Sequence, residues 1–345
     1  MFSPQYTITN QLLGSIKSIA EIVTELNSRS FSDVVQMEMQ RRAREISAFS
    51  STSIEGNPLP LTDVKRLLKN KPEHIRDSEK EVLNYNNALI ELDKLIKKGN
   101  ISFDLELLLQ TQKTVTAGLI EKNRWGKIRQ EPVFVNNPKT RQMAYLPPDH
   151  GEVISLLEEM FVFLEKNSNV IDPLILAGIF HKQFVIIHPF IDGNGRTARL
   201  ATKVLLAKMG LDTFNLFSFE NYYNQNVTKY FEKVGVLGNY YDIACKIDFT
   251  SWLEYFTDGI IDELLQVKKE LEKEIATPET VLKEYHQKII EHIKKNGFIT
   301  DREYSQLTKR AKPTRNLDFR KLIDLRFIIK AGKGKATYYK LKSGE

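Results

Sequence analysis

The sequence predicts a mainly α-helical protein with one short β-hairpin in its middle and a small basic domain at its C-terminal end. The first hundred residues and the region after residue 200 read as mainly helical. Strand-like runs are few, and they fall within residues 133–146 and 327–339. With a break at Thr277-Pro278, these patterns predict an N-terminal helical region over 1–100, a core over 101–265, a linker over 266–278 and a C-terminal domain over 279–345.

Composition is that of a soluble globular protein. With 345 residues, 41% of them hydrophobic, the chain can bury a sizeable core and form two or three domains. No stretch approaches the roughly 18 apolar residues that a membrane span needs, and the first residues do not begin a signal peptide. We therefore expect a cytoplasmic protein with no membrane partner. Cys245 is the one cysteine, and its neighbours Ile243 and Ala244 predict a buried thiol.

The N-terminal region contains a helix over Val34 to Ile46, which Ser30, Ser32 or Asp33 could each cap. Further along, Ser51 and Glu55 are one helical turn apart, and Gly56 is a natural helix stop. By itself this is a common helix ending.

The middle of the chain predicts the hairpin. Val133-Phe134-Val135 and Met143-Ala144-Tyr145-Leu146 are strand-like, and the turn-forming residues 136–139 lie between them. An ordinary surface hairpin would have the same pattern.

Residues 188–199, His-Pro-Phe-Ile-Asp-Gly-Asn-Gly-Arg-Thr-Ala-Arg, carry the densest chemistry. Pro189 ends the apolar helix over Leu174 to Ile187, which leaves His188 at a helix terminus. The glycines at 193 and 195 allow a tight turn, and a second helix begins at Arg196 and runs to about Met209, where Gly210 stops it. The N-terminus of that helix and the two arginines, at i and i+3, predict a polyphosphate site. A structural turn and a capping histidine are the plainer alternatives for each part taken alone.

This string closely resembles the signature of the Fic family, His-Pro-Phe-x-(Asp/Glu)-Gly-Asn-Gly-Arg-x-x-Arg, with every specified position filled. Most members of that family are helical enzymes that transfer AMP from ATP to a protein hydroxyl. The resemblance implies that His188 is the general base, that Asp192 holds Mg²⁺, and that ATP is the co-substrate. It implies nucleotide contacts from Gly193, Asn194, Gly195, Arg196, Thr197, Ala198 and Arg199. Because the Gly-Asn-Gly-Arg part is intact, nucleotidyl transfer is favoured over phosphoryl transfer.

Two further segments resemble parts of the same family. Ser51 to Gly56 is similar to its inhibitory motif, (Ser/Thr)-x-x-x-Glu-(Gly/Asn), in which the glutamate pairs with the second signature arginine, here Arg199, and blocks the seating of the γ-phosphate. Ser51, Glu55 and Gly56 are therefore predicted to inhibit the enzyme. The hairpin and its Pro147-Pro148 ending resemble the family's flap, which implies a target protein bound at residues 133–148.

Residues 226–231 resemble the family's Asn-x-x-x-Tyr-Tyr segment, which implies that Tyr230 and Phe231 lie near the adenine. Two core aromatics are an equally good interpretation. The phenylalanine at 231 departs from the family pattern, Gly235 to Lys246 is longer than the family's usual link, and Leu108 to Gly118 lacks an expected histidine.

The C-terminal domain is basic, with 17 Lys and Arg against 8 Asp and Glu in residues 277–345, whereas the rest of the chain has 33 against 36. Its predicted helices, from about Glu279 to Asn296, from Thr300 and from about Thr314 to Asp324, are followed by two strands, an order that resembles a winged helix. Arg315 and Arg320 could enter a DNA groove, with Lys333 and Lys335 on phosphates; a protein-docking module is the alternative.

Other functions fit the same residues. The chain could be a winged-helix DNA-binding regulator with a nucleotide-sensing Fic core, or a Fic enzyme that removes AMP or uses another nucleotide. The sequence does not determine the oligomeric state and leaves a homo-oligomer open.

Overall fold

The computed structural model describes residues 2–28, 33–70, 72–99, 101–136, 143–208, 210–211, 217–276, 282–325, 327–332 and 334–342. The chain divides into two compact units. The first comprises Met1–Ser30 and Met39–Lys268, and the second comprises Phe31–Glu38 and Lys269–Glu345. This division does not test the predicted four-part organisation, which stays a prediction.

The first unit is built mainly from helices, as the sequence predicts. In chain order its helices and strands are α1 Asn10–Ser28, α2 Asp33–Ile54, α3 Leu61–Lys69, α4 Asp77–Lys97, α5 Leu105–Thr116, β1 Val135–Asn136, β2 Met143–Leu146, α6 Val153–Asn167, α7 Pro173–Ile187, α8 Asn194–Lys208, α9 Phe219–Gln225, α10 Val227–Val234, β3 Gly238–Asn239, α11 Tyr240–Ile243 and α12 Thr250–Ala276. Helices α2 and α12 each contribute residues to both units.

Helix α7 lies at the centre of this unit, and nearly all of its residues are buried. A helix that is apolar on all sides can be stable only when other elements cover every face. One cover is α12, where Trp252 donates its indole N–H to the carbonyl of Gly178 at 2.8 Å. A Cβ at Gly178 would lie 2.6 Å from Leu253, so the glycine permits this close approach. The helix that ends at His188 is thereby held firmly.

A second apolar cluster joins α2, α4, α5 and α8, and includes Ala48, Leu89, Val115, Leu200 and Val204. Because α2 and α8 share this core, the segment over Ser51 to Gly56 is packed beside the helix that carries Arg196 and Arg199. These two stretches are about 140 residues apart in sequence.

The predicted hairpin is present, although its first strand is shorter than expected. Strand β1 pairs antiparallel with β2, with Val135 opposite Tyr145. The sequence placed the first strand at residues 133–135 and the turn at 136–139, whereas Asn136 belongs to β1 and residues 137–142 lie outside the described part. Strand β3, which the sequence did not predict, pairs in parallel with β2 through Tyr145 and Leu146. The predicted long link over 235–246 therefore contributes a strand to the flap sheet.

After α12, the described residues of the second unit form three helices and an antiparallel strand pair in the predicted order. These are α13 Glu284–Asn296, α14 Asp301–Leu307, α15 Lys312–Asp324, β4 Ile328–Ala331 and β5 Tyr338–Leu341. Helix α14 begins with the predicted capping box, in which Thr300 and Glu303 bond each other's backbone N–H. The apolar core of the second unit includes Ile289, Ile293, Phe319 and Leu322.

Several local predictions need correction. Cys245 is exposed, so the predicted buried thiol is wrong. It lies in a single 3-10 turn over Ala244–Lys246, where apolar neighbours in sequence do not create a buried face. Helix α13 begins at Glu284, and the predicted start near residue 279 falls outside the described residues. Helices α8 and α15 begin two residues earlier than predicted. None of the helices in the described part of the chain is both long and apolar enough to cross a bilayer.

Candidate active site

The site begins where α7 ends, at a residue with an unusual backbone. His188 has φ 51° and ψ 60°, and among the described residues it is the only one other than glycine with a positive φ. Its N–H bonds the carbonyl of Phe184 at 3.0 Å, which closes the last turn of the helix. A left-handed conformation costs a non-glycine residue about 1–3 kcal/mol. The packed end of α7 and the hydrogen bond to Phe184 hold this conformation.

The ring of His188 is set up to accept a proton. Its Nδ1 lies 3.3 Å from the carbonyl oxygen of Val185. A carbonyl can only accept, so Nδ1 carries the hydrogen and Nε2 of the neutral ring has a free lone pair. Burial lowers the pKa of His188 to about 4, despite the opposing hydrogen bond to Val185. At neutral pH the imidazole is therefore uncharged.

Arg129 fixes the backbone around this histidine, and the sequence analysis did not assign it a role. Its side chain is buried, with Nε donating to the carbonyl of His188 at 2.8 Å and Nη2 to that of Pro148 at 2.6 Å. Its own N–H donates to the carbonyl of Pro189 at 2.9 Å. One guanidinium thus ties the end of the flap to the turn that carries the candidate base.

The loop after Pro189 is shaped by Asn194 and Gly193. The side-chain oxygen of Asn194 accepts the N–H of Phe190 at 2.9 Å, and its Nδ2 donates to the Phe190 carbonyl at 2.8 Å. Gly193 has φ +84°, and a Cβ there would lie 2.8 Å from a methyl group of Thr116. In this structure the Asn194 amide is used to hold the loop, and its predicted phosphate contact stays a prediction.

Helix α8 starts directly at this turn. The N–H of Thr197 bonds the carbonyl of Gly193, whereas the preceding N–H groups have no carbonyl within the helix to bond. The N-terminal dipole and such N–H groups suit an anion. Thr197 and Ala198 are fully buried, so any contact they make with a nucleotide would come from their backbone.

Arg196 lies between two carboxylates. Its Nη2 contacts both oxygens of Asp192 at 2.9 Å, and its Nη1 lies 2.8 Å from Glu81 Oε1. The Arg196 side chain is only 5% exposed, whereas that of Asp192 is 43% exposed. In the ion pair of Arg196 with Asp192, the Asp192 carboxylate is therefore the partner that solvent or a ligand can reach.

Arg199 is fully buried and held on several sides. Its Nε donates to Ser51 Oγ at 2.7 Å, and its Nη2 donates to the Ser51 carbonyl at 2.9 Å and to Glu55 Oε1 at 2.6 Å. The Ser51 carbonyl is available because α2 tightens at its end, where the Glu55 N–H bonds Thr52 instead. Burial alone would lower the pKa of Arg199, but the negative charge of Glu55 raises it above its ordinary value.

Glu55 occupies the anion-binding end of α8 as well as contacting Arg199. A Cβ at Gly195 would lie only 2.2 Å from Glu55 Oε1, so the carboxylate rests directly on this glycine. Gly56, with φ +95°, ends α2 in a Schellman motif in which the N–H of Asn57 bonds Thr52 and that of Gly56 bonds Ser53. The predicted contact between Glu55 and Arg199 is therefore present in the structure.

A buried network anchors α2 one turn before Ser51. Lys203 lies 2.9 Å from Glu220 Oε2, and Ser47 bonds both of these side chains at 2.8 Å. Tyr85 and Ser218 also donate to the Glu220 carboxylate. Burial would raise the pKa of Glu220, but Lys203 holds it below its ordinary value. Ser47, Ser51 and Glu55 thus face Lys203 and Arg199 along one helix pair.

The predicted adenine segment is only partly accessible. The Tyr230 ring is 1% exposed and stacks on Tyr223 with centroids 4.7 Å apart. Its hydroxyl lies 3.4 Å from Arg199 and 3.1 Å from His181, which is also buried. This burial supports the core interpretation for Tyr230, while Phe231 is partly exposed.

The donors near the loop suit Mg²⁺. This cation takes oxygen ligands and is typically held by one or two carboxylates together with substrate phosphates and water. Asp192 offers such a carboxylate at the exposed rim of the anion site. Within the described part of the chain, no group of three or more His, Cys, Asp or Glu is close enough to hold a metal ion on its own.

Comparison with known proteins gives a family for this arrangement. Residues 102–206 match the model of the Fic/DOC family. The protein adenylyltransferase fic-1 of Caenorhabditis elegans is 27% identical over 201 residues, which are 56% of this chain and 38% of the relative. The protein adenylyltransferase Fic of Drosophila grimshawi is 30% identical over 181 residues, 49% of this chain and 35% of the relative. The chain thus spans between a third and two fifths of the length of these relatives.

Solved structures share the fold. A Fic family protein from Desulfovibrio desulfuricans matches with a TM-score of 0.65 at 20% identity, over 99% of this chain and 98% of that one. A fragment of Fic-1 from Caenorhabditis elegans matches with a TM-score of 0.59 at 22% identity, over 76% and 73% of the two chains. The mainly helical Fic fold predicted from the sequence is confirmed.

Proposed function

The chain carries a domain of the Fic/DOC family, and from this premise we propose that it is a protein adenylyltransferase. It would transfer AMP from ATP to a Ser, Thr or Tyr hydroxyl of a target protein. The observation that carries the proposal is the neutral His188, whose Nε2 is free to take a proton, beside an intact anion-binding turn at the start of α8.

In this reaction the target oxygen attacks the α-phosphorus as its proton passes to Nε2 of His188. The bond between the α-phosphorus and the oxygen that bridges to the β-phosphate breaks, and pyrophosphate leaves. General-base catalysis of this kind contributes about 10²–10⁴ in rate. The α8 N-terminus, Arg196 and Arg199 bind the phosphates and so orient the α-phosphorus.

Asp192 would hold Mg²⁺, with phosphate oxygens and water as the other ligands. When bound, the cation neutralises charge on the triphosphate. The residues Gly193 to Gly195 would approach the phosphates through their backbone, since a side chain at either glycine would collide with Thr116 or Glu55.

The proposal includes self-inhibition by Glu55. Its carboxylate lies at the α8 N-terminus and against Arg199, which are the two features that would receive the γ-phosphate. An anion already at this position competes with another anion. For this reason we expect the protein with Glu55 present to transfer AMP slowly.

The target protein would bind at the flap. Strand β1 is an edge of the sheet, since β2 pairs with β1 on one side and with β3 on the other. Phe134 and Met143 are 58% and 60% exposed beside it. An extended target segment could add to this edge by backbone pairing.

The second unit would be a winged helix that contacts DNA or a protein. The excess of 17 basic over 8 acidic residues in 277–345 and the exposed Arg320 on α15 favour DNA. Arg315 is less suited, because its guanidinium pairs with both oxygens of Asp301 at 2.8 and 2.9 Å. Lys333 and the side chain of Lys335 lie outside the described residues.

The test is to incubate the chain carrying Glu55→Gly with labelled ATP, CTP, GTP or UTP and Mg²⁺ and to identify modified proteins by mass spectrometry. We expect AMP on a hydroxyl and none when His188→Ala is added. Transfer from CTP, GTP or UTP would mean that a nucleotide other than ATP is the donor. Loss of AMP from a previously modified protein would indicate that the enzyme removes AMP. Absence of nucleotide-dependent modification in all four mixtures would contradict the proposal.

A further inference from the structure

Glu81, on α4, contacts the terminal nitrogen of Arg196 that Asp192 does not use. Its Oε1 lies 2.8 Å from Arg196 Nη1, and its other oxygen accepts a hydrogen bond from Asn57 Nδ2 at 2.7 Å. The Glu81 side chain is only 16% exposed. Asn57 also donates to the carbonyl of Ser78, and its side-chain oxygen accepts the N–H of Leu59 at 3.1 Å. The carboxylate is therefore held in place before any ligand binds.

The two carboxylates on Arg196 are not equivalent. Asp192 is 43% exposed and lies in the loop that would receive phosphates and Mg²⁺, whereas Glu81 is largely buried. A cation that engages Asp192 would weaken its contacts with Arg196 Nη2. A guanidinium that is only 5% exposed needs a remaining counter-charge, because an unpaired buried charge is costly. Glu81 is placed to be that counter-charge.

We infer that Glu81 is a positioning residue for Arg196: it holds Nη1 from behind so that Nη2 points to the β-phosphate of a bound nucleotide. This inference rests on the proposed function, since it takes Arg196 as a phosphate ligand. It also ties the end of the inhibitory segment to both arginines. Glu55 contacts Arg199 directly, and Asn57, two residues later, reaches Arg196 through Glu81.

The experiment measures equilibrium binding of ATP, ADP and AMP by calorimetry, with Mg²⁺ present, on the full chain carrying Glu55→Gly. Adding Glu81→Gln keeps the shape of the side chain but removes its charge. We expect affinity for ATP and ADP to fall about tenfold or more, while affinity for AMP, which has no β-phosphate, stays within about twofold. Glu91→Gln is the matched control, because it removes a carboxylate from the exposed face of the same helix.

A general loss of structure would weaken all three nucleotides alike and lower the melting temperature, and this outcome would overturn the inference. Unchanged or stronger ADP binding would overturn it too, since Glu81 would then compete with the phosphate. Asn57→Ala removes the hydrogen bond that holds Glu81 but keeps the charge of Glu81. We expect it to lower the affinity for ATP and ADP less than Glu81→Gln does. If the Glu55→Gly protein binds no nucleotide at all, the proposed function fails and this inference fails with it. If the Glu55→Gly protein binds ADP equally well with and without Glu81→Gln, only this inference is contradicted.

Discussion

His188 shows how one residue obtains its chemistry from two neighbours. Its left-handed backbone lets the chain leave α7 abruptly, and the Val185 carbonyl sets which ring nitrogen carries the hydrogen. Arg129 then fixes the His188 carbonyl. The candidate base is oriented by its own helix end and by one buried guanidinium, and its Nδ1 bonds a carbonyl oxygen rather than a carboxylate.

The lowered pKa of His188 predicts the pH dependence of transfer. The base must be neutral to act, and with a pKa of about 4 it loses activity only as the pH falls through about 4, not through the ordinary value of 6.5. At pH 6 only about 1 in 100 molecules would have a protonated ring. Turnover of the Glu55→Gly protein between pH 4 and 8 measures this. An acid limb centred near pH 6.5 would mean that the ring is solvated during catalysis.

Asp192 gives a prediction about the metal. In Asp192→Ala the proposed Mg²⁺ ligand is absent and Arg196 keeps only Glu81, so we expect most transfer to be lost together with its response to Mg²⁺. A Mg²⁺ titration of transfer in the Glu55→Gly background measures this. If the variant responds to Mg²⁺ as its parent does, the ligand lies elsewhere.

At the scale of elements, the pairing of α2 with α8 brings Glu55 to Arg199, as the proposed self-inhibition requires. Three side chains at four-residue intervals, Ser47 and Ser51 on α2 and Glu55 directly after it, meet Lys203 and Arg199 on α8. The Lys203 end is enclosed, whereas the Glu55 side chain is 28% exposed. The helix is therefore anchored near Ser47, and the Glu55 side chain that follows it is the part that a ligand could displace.

Replacing Lys203 should test the anchor. Lys203→Met leaves the fully buried Glu220 carboxylate without its ion partner, which costs about 3–5 kcal/mol of unfolding free energy. Adding Glu220→Gln should recover part of this loss, because the unpaired charge is removed. Denaturant unfolding of the two variants decides this, and equal stability of Lys203→Met and the parent would show that the ion pair contributes nothing net.

Removing the inhibitory carboxylate should raise turnover. In Glu55→Gly, Arg199 keeps its bonds to Ser51 but can also reach a γ-phosphate. The variant is therefore expected to change the orientation of bound ATP as well as its affinity. Misplacement by about 1 Å can cost roughly 10²-fold in rate, so a gain of that order is expected mainly in turnover. Adding Arg199→Ala should cancel the gain. Unchanged turnover across a range of ATP concentrations would make Ser51 to Gly56 an ordinary helix end.

At the scale of the whole molecule, local spacing predicted local features, whereas the long-range contact of Glu55 with Arg199 was predicted only from the resemblance to a family. The signature loop lies within twelve consecutive residues, so spacing alone predicted the helix end at His188, the glycine turn and the arginine pair. Arg129 and Glu81 act on residues 59 and 115 positions away. Their roles depend on how α4 and the flap pack around α8, which local spacing does not record. Strand β3 was missed because two residues carry no strand pattern.

Burial of single side chains was also hard to predict. Cys245 was expected to be buried on the basis of its neighbours, but a single 3-10 turn has no continuous inner face. For Tyr230 the sequence allows two interpretations, a contact with adenine or a place in the core. The structure buries it beside Arg199, where its hydroxyl can bond the guanidinium. Local backbone geometry decided the exposure of Cys245, and packing against a distant segment decided the burial of Tyr230.

The last prediction concerns the basic second unit. If it binds DNA through α15, Arg320→Ala should weaken binding of duplex DNA about uniformly across sequences and reduce the salt dependence, because an exposed arginine of this kind neutralises phosphate. Arg315→Ala should weaken DNA binding less, since its guanidinium is already used by Asp301 and by the carbonyl of Arg310. Fluorescence anisotropy of a labelled duplex at several salt concentrations measures both variants of the full chain. A larger loss from Arg315→Ala than from Arg320→Ala, without a loss of stability, would mean that Arg315 leaves Asp301 to contact DNA. No salt-dependent binding by the parent chain would favour protein docking instead.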